Sequence, residues 1–202
     1  MPKRRPPHSE NLRRALAQEA ARVMSEHGIR DFLVAKRKAA ERFGVTDSAV
    51  LPKNTDIEAA LAEYQRLFGG ASHAQSLHAQ RSAALEAMRR LSSFEPRLVG
   101  PVLAGTATAH SGVQLHLFAD SPESVAWSLT DQGIRHEVTA RRVKMNADRV
   151  LEYPGLRFEI DDQAVEVTVF PADGIRQAPV SPVDGRPMRR ADVSELEALL
   201  GS

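Results

Sequence analysis

The hydrophobic period of this 202-residue chain changes once, near Arg97, and this change constrains the fold more than any other feature. Up to residue 96, apolar residues return every three or four positions, which is the spacing of amphipathic helices. After Arg97 they alternate with polar residues, which is the spacing of half-buried strands. The sequence therefore predicts an α+β fold, in which an N-terminal helical domain is followed by a small mixed β-sheet with flanking helices.

Four helices are predicted before the change, bounded by polar capping residues, glycine or proline. They span residues 9–27, 31–43, 55–68 and 72–93. The third begins with a predicted capping box, in which the Thr55 hydroxyl accepts from an amide of the first turn while Glu58 reaches back to the amide of the cap. Residues 1–8 are rich in proline and charge, which predicts disorder.

Strands dominate the second half, with two helices and one extended segment. The predicted strands span residues 98–104, 113–118, 134–143, 150–153, 156–160 and 164–170, the last two joined by a tight Asp161-Asp162-Gln163 hairpin. Ser121-Pro122-Glu123 opens a helix that Gly133 ends, and Asp192 caps a short final helix. Residues 171–190 contain four prolines and few apolar residues, which predicts an extended segment wrapping over the sheet.

Composition excludes several classes of protein. The chain has no cysteine, which excludes a disulfide framework and any thiolate metal site. No apolar run approaches the roughly 20 residues that a membrane helix needs. The basic N-terminus has no apolar stretch behind it, unlike a secretory signal. We therefore expect a cytoplasmic protein without a membrane partner, and the sequence leaves its oligomeric state open.

Charge is distributed unevenly although the net charge is only +1. Residues 1–53 carry 12 Lys and Arg against 6 Asp and Glu, whereas residues 54–202 carry 15 against 20. The basic N-terminal region could attract nucleic acid through its phosphates, and ordinary solvated helix surface is the simpler interpretation. Candidate phosphate contacts are Lys36, Arg37, Lys38, Arg141, Arg142, Arg186, Arg189 and Arg190.

The stretch 103–120, which reads LAGTATAHSGVQLHLFAD, carries the most specific pattern. A predicted strand runs into Gly105-Thr106, and a polar loop leads to the next strand. This pattern resembles the signature of the polymerase-beta-type nucleotidyltransferases, in which a Gly-Ser turn precedes a Ser-Asp-x-Asp strand. Gly105-Thr106 stand at the Gly-Ser positions and Ser111 matches the serine, so the resemblance implies that these three residues bind the nucleotide.

The resemblance also locates a metal site that has lost part of its ligand set. In the family, two carboxylates on the strand and a third on a later strand hold two Mg²⁺ ions that assist transfer from a nucleoside triphosphate. Gly112 and Gln114 occupy the first two carboxylate positions here, and Glu166 matches the third. The resemblance therefore implies Glu166 as a metal carboxylate, with Mg²⁺ and a nucleoside triphosphate as ligands.

These patterns lead to a domain division and to two hypotheses. The predicted domains are a basic tail at 1–8, a helical domain at 9–96, a nucleotidyltransferase-like domain at 97–170, and a proline-rich segment with a helix at 171–202. The first hypothesis is a nucleotidyltransferase-like protein that binds a nucleotide and transfers it to a protein, RNA or small-molecule acceptor, with weakened or lost activity. The alternative is a non-catalytic regulatory module that binds nucleic acid or protein.

Overall fold

The fold is known from a computed structural model that describes residues 7–146 and 148–201. It is α+β, with N-terminal helices followed by a five-stranded mixed sheet and flanking helices. The chain divides into two compact units. The first comprises the chain up to Ala74 with Thr108–Ser111 and Pro182–Asp184, and the second comprises Gln75–Ala107, Gly112–Ser181 and the chain from Gly185. Most of the fourth helix therefore belongs to the same unit as the sheet.

The first unit is built from three helices. They are α1 (Pro7–His27), α2 (Phe32–Arg42) and α3 (Asn54–Tyr64), with a 3₁₀ turn at Ser48–Val50 and a π-helical turn at Gln65–Gly69. Leu16 and Ala20 of α1, Ala35 of α2, and Ile57 and Leu61 of α3 lie in one buried cluster. These residues are the apolar stripes of three amphipathic helices, so the unit owes its core to helical periodicity.

The second unit contains the sheet. Its elements are α4 (Gly70–Arg90, from Gln75 onward), β1 (Arg97–Val99), α5 (Gly100–Ala104), β2 (Val113–Phe118), α6 (Pro122–Asp131), β3 (His136–Lys144), β4 (Val150–Ile160), β5 (Gln163–Phe170), a 3₁₀ turn at Ala172–Arg176 and α7 (Val193–Leu200). The strand order is β1-β2-β5-β4-β3. Only β2 and β5 pair in parallel; the other three pairs are antiparallel. β5, the last strand in sequence, therefore lies in the centre.

Alternation along the strands produces two different faces. On one face, Leu115 and Leu117 of β2 and Val167 of β5 are buried in a cluster with Met88 of α4 and Leu129 of α6. The opposite face carries polar residues, among them Gln114, His116, Glu166 and Thr168. We call this second surface the polar face.

The polar face ends in an apolar corner. Phe118 of β2, Phe170 of β5 and Met145 after β3 are buried there, and Tyr153 and Ile175 pack against them. Ile175 belongs to the 3₁₀ turn of the segment 171–190, and Ala191 pairs with Leu98 at the outer edge of β1. The predicted extended segment thus runs along the sheet, interrupted by one 3₁₀ turn.

The predicted strand 98–104 is wrong beyond Val99. The strand β1 ends there, and Gly100-Pro101 begin the short helix α5. A proline has no amide hydrogen for a strand ladder, whereas the first turn of a helix leaves that position unbonded in any case. Gly105 consequently follows a helix as its left-handed C-terminal cap, with φ of 79°.

Two further boundaries differ from the prediction. The third helix begins at Asn54, and Asp56, instead of Glu58, accepts the amide hydrogen of Lys53 at 2.9 Å. The two predicted strands 150–153 and 156–160 form one continuous strand β4. Pro154 is tolerated inside it because β5 pairs with β4 only from Gly155 onward, which leaves one side of β4 without a strand at the proline.

Other local predictions are confirmed. Asp192 and Glu195 form a reciprocal capping box at α7, and the Ser121 hydroxyl caps α6. Asp161 and Asp162 both have positive φ in a two-residue turn between β4 and β5. Disorder was predicted for residues 1–8. Residues 1–6 lie outside the described residues, and residues 7 and 8 belong to α1. None of the described helices has the length and apolar character needed to cross a membrane.

Candidate functional site on the polar face of the sheet

Gln114 and Glu166 lie side by side at the start of the polar face. They are directly paired positions on the parallel strands β2 and β5. His116 and Thr168 form the next pair on this face, followed by Phe118 and Phe170. Alternation in the sequence predicts that each of these residues lies on the polar side of its own strand, and parallel pairing in this register brings the two together. Their role in binding stays a prediction.

Glu166 is held by a guanidinium from a distant strand. Its Oε2 lies 3.0 Å from Nη2 of Arg141, and the carboxylate side chain is only 14% exposed. Arg141 belongs to β3, and β4 lies between β3 and β5. Its side chain must therefore cross one strand to reach the carboxylate.

Gly155 in β4 permits this crossing. A Cβ atom added at Gly155 would lie 3.3 Å from Cγ of Arg141 and only 2.7 Å from Oγ1 of Thr139. The site thus depends on a residue without a side chain. This role was not predicted, because Gly155 lay between two predicted strands. The glycine itself was the available signal, because a glycine in a strand often marks a close approach of another group to the backbone.

Gly100 has the same role beside Gln114. It has φ of 73°, and an added Cβ would lie 2.6 Å from the amide Oε1 of Gln114. The predicted strand 98–104 included Gly100, so this role was not predicted either. The adjacent proline was the available signal, because Gly-Pro is typical of a turn or a helix start.

Arg190 anchors the other end of the polar face. Its Nε donates to Nδ1 of His116 at 3.1 Å, and its Nη1 donates to the carbonyls of Gly174 and Ile175 at 3.2 and 3.1 Å. The guanidinium carbon also lies 4.9 Å from the centroid of Phe118, within the range of a cation–π contact. The segment 171–190 was predicted to lie over the sheet, and Arg190 at its end contacts His116 of β2.

Burial and charge keep His116 neutral. The ring is 6% exposed, and burial, followed by the charges of Arg190 and Arg141, lowers its pKa to about 3. Burial, with a smaller contribution from Arg97, lowers the pKa of Arg190 to about 10, so its guanidinium remains protonated near neutral pH. Since Nδ1 of His116 accepts from Arg190, the proton of the neutral ring is on Nε2.

These donors do not fit two Mg²⁺ ions. Magnesium prefers hard oxygen ligands, usually carboxylates. Where β2 and β5 pair on this face, the donors are the carboxylate of Glu166, which Arg141 neutralises, the amide of Gln114 and the neutral imidazole of His116. In the part of the chain that the structure describes, no three His, Asp or Glu side chains are grouped to hold a metal ion.

The predicted loop residues have other surroundings. Gly105 caps α5, and an added Cβ there would be 3.7 Å from Nη2 of Arg81 on α4. Thr106 is buried, as is Gly112 immediately before β2. Ser111 belongs to the first unit, where its hydroxyl accepts from the amide of Thr108 at 2.9 Å. The predicted nucleotide contacts of these residues stay predictions.

The remaining basic candidates are dispersed. Arg142 alternates with Arg141 on β3 and is exposed on the opposite side. Arg186 and Arg189 are exposed, and Arg189 lies 3.9 Å from the carboxylate of Glu195. Arg37 and Lys38 are exposed on α2 in the first unit, whereas Lys36 is partly buried there, which lowers its pKa. Of the eight candidates, Arg141 and Arg190 contact residues of the polar face.

Comparison of the chain with protein-family models, with curated proteins and with solved structures gave no significant match.

Proposed function

We propose that the polar face binds a nucleotide, in the manner of a nucleotidyltransferase-like protein that has lost metal-dependent transfer. The observation that carries this proposal is the group formed by Gln114, Glu166 and Arg141. It combines two positions of the family signature, in register on adjacent parallel strands, with a guanidinium on the remaining carboxylate. Guanidinium groups bind phosphate oxygens through paired hydrogen bonds.

The polar character of the face supports binding. A sheet face that carries an amide, a carboxylate and arginines has little apolar area to bury, in contrast to the opposite face. Gly100 and Gly155 also leave the backbone close to the side chains of Gln114 and Arg141. Glycines at such positions allow a ligand or another group to approach closely.

The donor set argues against transfer. Two-metal catalysis requires carboxylates to hold the cations that stabilise the attacking and leaving oxygens. A single carboxylate paired with Arg141 does not supply them, so no step of the proposal uses a metal. The proposal assigns the protein to the cytoplasm, which agrees with a chain that contains no cysteine.

Calorimetric titration of the full chain with ATP, once in EDTA and once in excess Mg²⁺, tests the proposal. We expect saturable binding in EDTA, with an affinity within about threefold of that in Mg²⁺. Arg141→Met should weaken binding by about tenfold or more, because it removes a phosphate donor and leaves the charge of Glu166 uncompensated. Arg142→Met is the matched control, since it removes the same charge from the opposite side of the strand.

Three other outcomes would each contradict part of the proposal. Binding that requires Mg²⁺ would show that the residues hold a metal after all and would restore the catalytic hypothesis. No ATP binding under either condition would remove the nucleotide proposal. Equal losses in Arg141→Met and Arg142→Met would mean that general charge, instead of this site, attracts the nucleotide.

The alternative, nucleic-acid binding through the basic N-terminal region, has weaker support. Glu19 forms ion pairs with Arg22 at 2.8 Å and with Arg42 at 3.1 Å, so part of the positive charge in that region is neutralised internally. Arg14, Arg30, Arg37, Lys38 and Lys53 are exposed in the described part of this region. Such binding depends on neutralising several phosphates together, whereas these cations are spread over α1, α2 and the connections between the helices.

A further inference from the structure

The guanidinium of Arg190 has hydrogen-bonding capacity that the protein does not use. An arginine carries five N–H donors. Nε donates to His116, and Nη1 donates to the carbonyls of Gly174 and Ile175. Nη2 is buried and has no hydrogen-bond partner among the described residues. A buried donor on a charged group without an acceptor is costly, on the order of 1–3 kcal/mol or more.

The positive charge of Arg190 is also uncompensated. Its hydrogen-bond acceptors are an imidazole nitrogen and two carbonyl oxygens, all of them uncharged. Among the described residues, none of the ion pairs includes Arg190. By contrast, Arg141 on the same face has Glu166 as its counter-charge. A partly buried cation without a counter-charge favours an anionic ligand.

The surroundings of Arg190 are polar and ordered. His116 accepts the Nε hydrogen of Arg190 at Nδ1, and its own proton, on Nε2, lies on the far side of the ring. Thr168, which is paired in register with His116, is buried and adds a hydroxyl. The backbone that presents Arg190 is fixed, because the next residue, Ala191, exchanges hydrogen bonds of 2.8 and 2.9 Å with Leu98 of β1.

We propose that Arg190, oriented by His116, forms an oxyanion subsite in which its Nη2 donates to a phosphoryl group. Arg190 supplies the charge, and His116 orients Arg190 through the Nε bond. The identity of the phosphoryl group as part of a nucleotide rests on the proposed function. The binding of a phosphoryl group at Arg190 does not.

The test uses the full chain with two probes, ATP and inorganic pyrophosphate, and adenosine as a ligand without phosphate. Arg190→Met keeps the length of the side chain and removes the charge. We expect it to weaken binding of both phosphate-bearing probes by at least about tenfold. Arg189→Met is the matched control, because Arg189 is the exposed neighbour of Arg190, and it should leave both affinities unchanged.

Loss of folding in Arg190→Met would obscure the result, so a second measurement uses the unaltered protein. Pyrophosphate added to ¹⁵N-labelled protein should shift the ring nitrogen resonances of His116 and leave those of the exposed His110 unchanged. Absence of a shift at His116 overturns the subsite, as does equal affinity in Arg190→Met and the unaltered protein. If pyrophosphate behaves as expected but ATP does not bind, the nucleotide proposal fails and the subsite stands.

Discussion

The two faces of the sheet are made from alternate residues of the same strands, yet different interactions dominate on each face. Leu115 and Leu117 are fully buried in a helix-covered core, where apolar burial supplies the stability. Between and beside them on β2, Gln114 and His116 face a surface of hydrogen bonds and charges. Neighbouring positions in the sequence therefore contribute to separate properties, which are stability on one face and, in the proposed function, recognition on the other.

The two faces should tolerate substitution to different degrees. A close-packed apolar face loses stability with every methylene that is removed. The polar face depends on a few long side chains whose positions are set by glycines and by pairing between distant strands, as for Arg141 over Gly155. Substitutions on the two faces should consequently separate loss of stability from loss of binding.

The largest expected effect tests the apolar face. Leu117→Ala should lower the free energy of unfolding by about 2 to 5 kcal/mol, because it leaves a cavity between the sheet and its helices. Gln114→Ala should cost less than about 1 kcal/mol, since its partly exposed side chain contributes little apolar burial. Urea unfolding of both variants checks the comparison, and equal losses would mean that the polar face is also a structural core.

A smaller effect is expected at the crossing point of Arg141. Gly155→Ala should destabilise the fold by roughly 1 to 3 kcal/mol, because the added Cβ would lie 2.7 Å from both Oγ1 of Thr139 and the carbonyl oxygen of Val167. The same variant should weaken ATP binding by displacing Arg141. In the double variant Gly155→Ala, Thr139→Ala, the clash with the Thr139 hydroxyl is removed, which should recover part of the stability. A fully stable single variant with unchanged ATP affinity would contradict the positioning role of this glycine.

The most gradual effect is a pH dependence that arises from His116. The folded state keeps this ring neutral down to a pKa of about 3, whereas the ordinary pKa is 6.5. Between these values the unfolded state binds a proton that the folded state does not, so stability is full above the higher value and falls as the pH decreases. The slope approaches about 1.4 kcal/mol per pH unit for one group.

Two histidine variants isolate this contribution. His116→Gln should flatten the dependence of unfolding free energy on pH between 6 and 4, and His110→Gln, which changes an exposed ring, should leave it as it is. Thermal or urea unfolding at several pH values provides the measurement. An identical slope in all three proteins would show that His116 is protonated in the folded state without cost.

Many local elements of this fold were predictable from neighbouring residues. The helix caps at Asp31, Ser121 and Asp192, and the turn at Asp161-Asp162, depend on side chains and backbone angles within a few positions. The strand predicted through Pro101 failed because an apolar run of that length fits a short strand followed by a helical turn equally well. Boundaries of this kind are decided by which neighbour offers hydrogen bonds.

The candidate site was predictable only in part. Alternation along β2 and β5 assigned Gln114 and Glu166 each to the polar side of its strand, but no local pattern paired Glu166 with Arg141, or His116 with Arg190. Those contacts join residues that are 25 and 74 positions apart in the sequence. They depend on the placement of β5 between β2 and β4 and on the course of the segment before Ala191.

The class of the fold, the alternation of the strands and the caps at Ser121 and Asp192 were predicted from the sequence, because they follow from interactions between residues one to four positions apart. Which polar residues meet depends instead on the tertiary structure. The strand order brings Arg141 across Gly155 to Glu166, and the pairing of Ala191 with Leu98 directs Arg190 onto His116. The physical reason is that an ion pair or a buried donor is specified by distance in space, which the period of a sequence does not encode.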